Sequence, residues 1–162
     1  MGSKKPEPHP TLEPSVDRWS LFCDRLSEVG GEVAEPASVP GYPGPFWVQE
    51  SLRPLWPGLE LASDPWEAET GVCRAELAIA ETGSLLFASG PVKPRLLSLL
   101  PPRHVVLLDP GRIEAGLESA LARLDGRNWA IVTGPSRTAD IEGVLVRGVH
   151  GPRELIVVPF PE

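Results

Sequence analysis

Residues 133–143 read "TGPSRTADIEG" and concentrate hydroxyl side chains, a guanidinium and two carboxylates directly after the apolar run "NWAIV". The change of character predicts a buried strand ending near Thr133 and a helix starting just beyond it, capped by Ser136 or Thr138. A helix start carries backbone N–H groups without intrahelical partners. Their partial positive charge holds phosphate or carboxylate. Gly134 would let the backbone approach a ligand, and Arg137 would supply a bidentate contact to an anion. Asp140 and Glu142 fall in the first helical turn if Thr138 is the cap. The dipole welcomes acids there, but they would repel a nearby anion, so ordinary capping and an anion site both fit the spacing. The glycine spacing and Lys-Ser/Thr pair of a phosphate-binding P-loop are missing, as is the dinucleotide fingerprint.

A second cluster, Glu81-Thr82-Gly83-Ser84, forms a tight turn between the apolar runs of "CRAELAIAETGSLLFASG". Glu81 at a strand end is either a nucleophilic carboxylate or a turn acid that accepts nearby N–H groups. His150, between Gly148 and Gly151, is either an acid/base group near neutral pH or a loop residue. His9 lies in a proline-rich leading segment and His104 begins a buried strand, so no metal triad is apparent.

These residues need a scaffold. Residues 1–13 hold three prolines, several charges and little apolar surface, which predicts a disordered tail. "PSVDRWSLFCDRLSEVGG" predicts a helix capped by Ser15, with Val16, Trp19, Cys23, Leu26 and Val29 on one stripe and Phe22 beside it. Residues 35–66 carry seven prolines with Tyr42, Phe46, Trp47, Trp56 and Trp66. That density excludes long regular elements and predicts an irregular wrap pinned by its rings, or else an aromatic surface for a ligand or partner. Further along, "RHVVLLDPG" predicts a strand buried on both faces. "RIEAGLESALARLDG" predicts an amphipathic helix with Ile113, Leu117, Leu121 and Leu124 on one face, stopped by Gly126. "NWAIVTG" predicts a strand, "TADIEGVLVRG" a short helix or helical turn, and "ELIVVPF" a last strand cut short by proline. Alternation of this kind implies an α/β layer with a mostly parallel sheet flanked by helices, built from residues 14–162 as one domain.

The bulk properties bound the function. The 162 residues include 15 basic and 22 acidic side chains, a net charge of −7 that opposes binding to nucleic acid or an anionic membrane surface. Cys23 and Cys73, the two cysteines of the sequence, cannot alone form a four-cysteine iron–sulfur or zinc site. Cys23 reads as core filler. No run has the length of a membrane span and no apolar stretch follows the basic start, so a cytoplasmic protein is expected.

Three blocks in order, "AIAETGSLLF", "TGPSRTADIEG" and "GVHGPRELIVV", resemble the lactate-utilisation protein C family, the LUD domain, over roughly residues 71–160. The resemblance implies a sheet like those of sugar-phosphate isomerases and CoA transferases. It also implies a role in oxidising L-lactate to pyruvate beside two partner proteins that carry iron–sulfur clusters, with no cofactor bound by this chain. A homo-oligomer is compatible with it. The motif positions it carries over are Glu81, Thr82, Gly83 and Ser84; Gly134, Ser136, Arg137, Thr138, Asp140 and Glu142; and His150 and Gly151. Ser84 stands where the family often has threonine. Glu81 and His150 are the candidate catalytic residues, and the others are candidates for binding a small carboxylate or phosphorylated ligand. The runner-up functions are acyl transfer through Glu81, as CoA transferases use a strand-end glutamate, and a ligand-free scaffold.

Overall fold

Val105–Leu108 and Leu155–Val158 are apolar without alternation, and such runs are stable only where both faces of a sheet are covered. The computed structural model describes residues 17–89, 94–139, 145–147 and 151–161. In chain order its elements are α1 (Arg18–Glu28), β1 (Glu32–Val33), β2 (Phe46–Val48), β3 (Thr70–Arg74), β4 (Leu77–Ile79), β5 (Ser84–Ala88) and α2 (Pro94–Leu97). There follow β6 (Arg103–Leu108), β7 (Ile113–Glu114), α3 (Leu117–Leu121), β8 (Trp129–Thr133), β9 (Arg137–Ala139), β10 (Leu145–Arg147) and β11 (Glu154–Pro159). Five strands form a parallel sheet in the order β1-β11-β6-β3-β2. A smaller mixed sheet has the order β7-β4-β5-β8, with β5 antiparallel to both β4 and β8.

The two apolar faces of the parallel sheet are covered differently. Cys73, Val106, Leu108, Leu155 and Val157 meet Ala78, Ala80, Leu85 and Phe87 of the smaller sheet, with Phe22 and Leu26 of α1 and Leu97 of α2. The opposite face, with Phe46, Val72, Val105, Leu107, Ile156 and Val158, is covered by Val39, Leu52, Tyr42 and Trp56. The proline-rich segment is therefore a wrap over a sheet face. It is built from 3-10 turns at Pro36–Gly41, Glu50–Leu55 and Pro65–Glu67, where proline forbids longer elements. Trp66 stands apart from this cover at 79 % exposure.

The helix α1 is capped by Asp17, whose carboxylate accepts the Trp19 N–H at 3.1 Å, and its inward side chains are Phe22 and Leu26. Ser15, the expected cap, and the tail at 1–13 lie outside the described residues. Two further expectations are corrected. Ile113 belongs to β7, paired beside Ala78, and α3 covers Leu117–Leu121 with Ala120 facing the sheet while Leu117 and Leu121 are exposed. Strand pairing to β4 outcompetes the helical periodicity of "RIEAGLESALARL", and the Glu114 carboxylate is held by Arg123 at 2.6 Å. The described residues after Gly134 are likewise strand where a helix was expected. Arg137–Ala139 pairs antiparallel with Leu145–Arg147, in a register that sets Thr138 opposite Val146.

Candidate functional site

The Glu81 turn and the junction after Thr133 are neighbours because β5 and β8 pair with Ser84 opposite Thr133. The Ser84 hydroxyl bonds both the Thr82 hydroxyl and the Thr133 hydroxyl at 2.7 Å, a short chain that joins the two corners. Both corners lie under the end of α1. Gly83 has φ +64°, and a Cβ there would stand 2.5 Å from the Leu26 backbone nitrogen. Gly134 has φ +73°, and its Cβ would stand 2.6 Å from the Val29 carbonyl oxygen. The same Val29 carbonyl accepts a hydrogen bond from the Arg137 guanidinium, a favourable use of a cation at a helix C-terminus.

The other polar groups are also committed. The Ser136 N–H donates to the Pro152 carbonyl at 2.8 Å. Gly151, at φ +143°, lies so close that a Cβ would come 3.1 Å from the Ser136 Cβ. With β9 a strand and the Ser136 amide used by the fold, no helix-terminus cradle is present among the described residues. The Glu81 carboxylate accepts the Leu117 N–H at 2.9 Å and packs on Gly116, so it caps α3. Replacing Glu81 by Ala should lower stability by about 1 kcal/mol, the worth of a helix cap. Gln, which keeps an accepting oxygen, should cost less; urea unfolding midpoints of the two variants measure the difference.

Next to the junction is a hollow of about 310 Å³. Its polar wall comes from Ser98, His104, Thr133, Ser136 and Arg137, with Gly134 and Gly151 beside them and Leu99, Val132 and Leu155 supplying apolar surface. Among the described residues no Asp or Glu lines it. The structure therefore brings Gly134, Ser136, Arg137 and Gly151 together around one space. Glu81, Thr82, Gly83 and Ser84 are not among the lining residues; Ser84 is joined to the wall by its pairing and hydroxyl hydrogen bond with Thr133. Thr138 is in β9; Asp140, Glu142 and His150 lie outside the described residues. A second hollow of about 410 Å³, bordered by Gln49, Ser51, Arg74 and Glu76, contains no motif position and includes an acid.

His104 is the lining residue that sequence reasoning placed in a strand without giving it a role. It is fully buried on β6, between Gly71 of β3 and Leu155 of β11. Its Nε2 lies 3.1 Å from the Cys73 Sγ, and the Phe87 ring is tilted against it at 5.6 Å between centroids. Burial holds the His104 imidazole neutral by lowering its pKa to about 3, and pushes the Cys73 thiol up. The available signal was a histidine at the start of an otherwise apolar strand; its partner depends on register. Among the described residues no group of three His, Cys, Asp or Glu side chains could hold a metal ion, and no helix is long and apolar enough to cross a membrane.

Comparison with known proteins gives these features a context. The sequence model of the LUD domain matches residues 59–158. An uncharacterised protein of Neisseria meningitidis serogroup B is 36% identical over 123 residues, covering 67% of this chain and 51% of that protein. Lactate utilization protein C of Bacillus licheniformis is 37% identical over 97 residues, covering 53% of this chain and 40% of that protein. The chain spans about half the length of the curated relatives it matches. A solved DUF162 family protein from Deinococcus radiodurans shares the fold with a TM-score of 0.68 at 21% identity, covering 87% of this chain and 94% of that one.

Proposed function

The chain belongs to the LUD domain family, and from that premise we propose that it serves lactate utilisation by holding a small carboxylate in the hollow beside Thr133. In this reading it is a cytoplasmic accessory component. The electron chemistry belongs to two partner proteins with iron–sulfur clusters, and this chain presents or retains the organic acid. The observation that carries the reading is the character of the wall: hydroxyls, a buried imidazole and a guanidinium, with no carboxylate among the described lining residues. In a chain of net charge −7, the charged side chain among the described lining residues is a cation, Arg137. Apolar Leu99, Val132 and Leu155 suit the hydrocarbon end of a short acid. The relatives named for lactate utilisation support the choice of acid.

Reconstitution tests it. Lactate oxidation by the assembled system should fall when this chain is withheld and return when it is added back. Equal rates and equal assembly without it would overturn the reading.

A further inference from the structure

The Cys73–His104 pair is not explained by packing alone. The two residues sit on adjacent parallel strands, with Cys73 opposite Val106 and His104 opposite Gly71, so their side chains are diagonal neighbours on the face turned toward the smaller sheet. Both are completely buried and their polar atoms are 3.1 Å apart. A buried thiol stays protonated and is a better donor than acceptor. Sγ–H donation to Nε2 would leave the imidazole proton on Nδ1, whereas the opposite direction would leave Nδ1 as an acceptor. That Nδ1 is a buried polar atom with no hydrogen-bond partner among the described residues. A buried N–H left unpaired costs as much as a lost hydrogen bond, and folded proteins avoid it unless something else supplies the acceptor.

His104 borders the hollow, whereas Cys73 is not among its lining residues. The ring thus spends one nitrogen on the interior and has one left on the residue that walls the cavity. We propose that the His104 Nδ1–H donates to a carboxylate oxygen of the bound acid at the base of the hollow, and that Cys73 is the positioning residue that fixes this tautomer. The inference rests on the reading of the hollow as a carboxylate site. An ionised acceptor gains most from a donor in a water-poor setting, and Arg137 on the same wall supplies counter-charge. The Phe87 ring limits the imidazole's freedom to turn away.

The test uses the full chain with 15N-labelled histidine and L-lactate, acetate and inorganic phosphate as probes. Long-range 15N–1H correlation should show the Nδ1-protonated tautomer for His104 and a saturable shift of Nδ1 with lactate. His104→Gln, which offers a donor near the Nε2 position only, should weaken lactate binding about tenfold or more, as expected for a lost hydrogen bond to a charged group. His104→Asn, whose amide nitrogen stands near Nδ1, should retain most of the affinity. Cys73→Ser should keep the tautomer and Cys73→Ala should mix it, a readout that decides the matter if the Gln variant does not fold. An Nε2-protonated wild-type ring, or a folded Gln variant with unchanged affinity, overturns this inference and leaves the carboxylate site standing. A wild-type chain that binds none of the three probes overturns both.

Discussion

Replacing Gly83 by Ala is expected to destabilise the chain by about 3 kcal/mol, an effect that combines a left-handed backbone unfavourable to Ala with overpacking against a helix. The new methyl carbon would stand 2.5 Å from the Leu26 nitrogen and 2.7 Å from the Arg25 carbonyl carbon. Both are backbone atoms in α1, so no rotamer change relieves the contact and the helix itself must move. Moving α1 also disturbs the Val29 carbonyl, which Gly134 approaches and Arg137 donates to. The substitution should therefore damage the hollow without lining it. Gly126→Ala is the control: nothing lies within 4 Å of its added carbon, and its effect should stay within about 0.5 kcal/mol. Urea unfolding of the two variants reads the contrast, and similar midpoints would show that α1 does not pack on the turn as described.

The second large effect is a dependence of stability on pH that originates at His104. Burial lowers its folded pKa from 6.5 to about 3, so between those values the unfolded chain binds the proton and the folded chain does not. The stabilisation is fully present above the unfolded value and is lost as pH falls through the window toward about 3. From pH 7 to pH 5 the loss from this group should be about 2 kcal/mol, given 1.36 kcal/mol per pKa unit. Carboxylates contribute their own slope, so the measurement is a difference: unfolding free energies at both pH values for wild type and His104→Asn. The variant should lose about 2 kcal/mol less than wild type on acidification. Equal losses would mean that the imidazole is hydrated or already paired with an anion in the folded state.

Much of the scaffold was legible because its signals are local. The β4–β5 hairpin follows from two apolar runs flanking Glu81-Thr82-Gly83, and the buried β6 and β11 follow from uninterrupted Val and Leu. The helix expected from residue 112 starts only at Leu117, and the one expected from Thr138 is replaced by strand at its described residues, for a shared reason. Ile113, Leu117, Leu121 and Leu124 do fall at helical spacing, yet Ile113 has a strand partner 35 residues back in Ala78. Arg137–Ala139 likewise takes its structure from β10, not from its neighbours in sequence. The glycines at 83 and 134 announce unusual backbone, but the need for them is set by α1, more than fifty residues earlier. For the site, the sequence brought forward Gly134, Ser136, Arg137 and Gly151, which do share one hollow. It did not bring forward the pairing of His104 with Cys73, because that depends on the register of β3 against β6. Nor did it anticipate that Glu81 and the Ser136 amide would be taken up by internal hydrogen bonds.

The most direct test of the account is an amide-resolved NMR titration of the whole chain with L-lactate. Saturable shifts are expected at Ser98, His104, Thr133, Gly134, Ser136, Arg137 and Gly151, with the residues around Gln49 and Arg74 unaffected. Shifts confined to the Gln49–Arg74 hollow, or no saturable response anywhere, would contradict the assignment of the carboxylate to the wall built by Thr133, Ser136, Arg137 and His104.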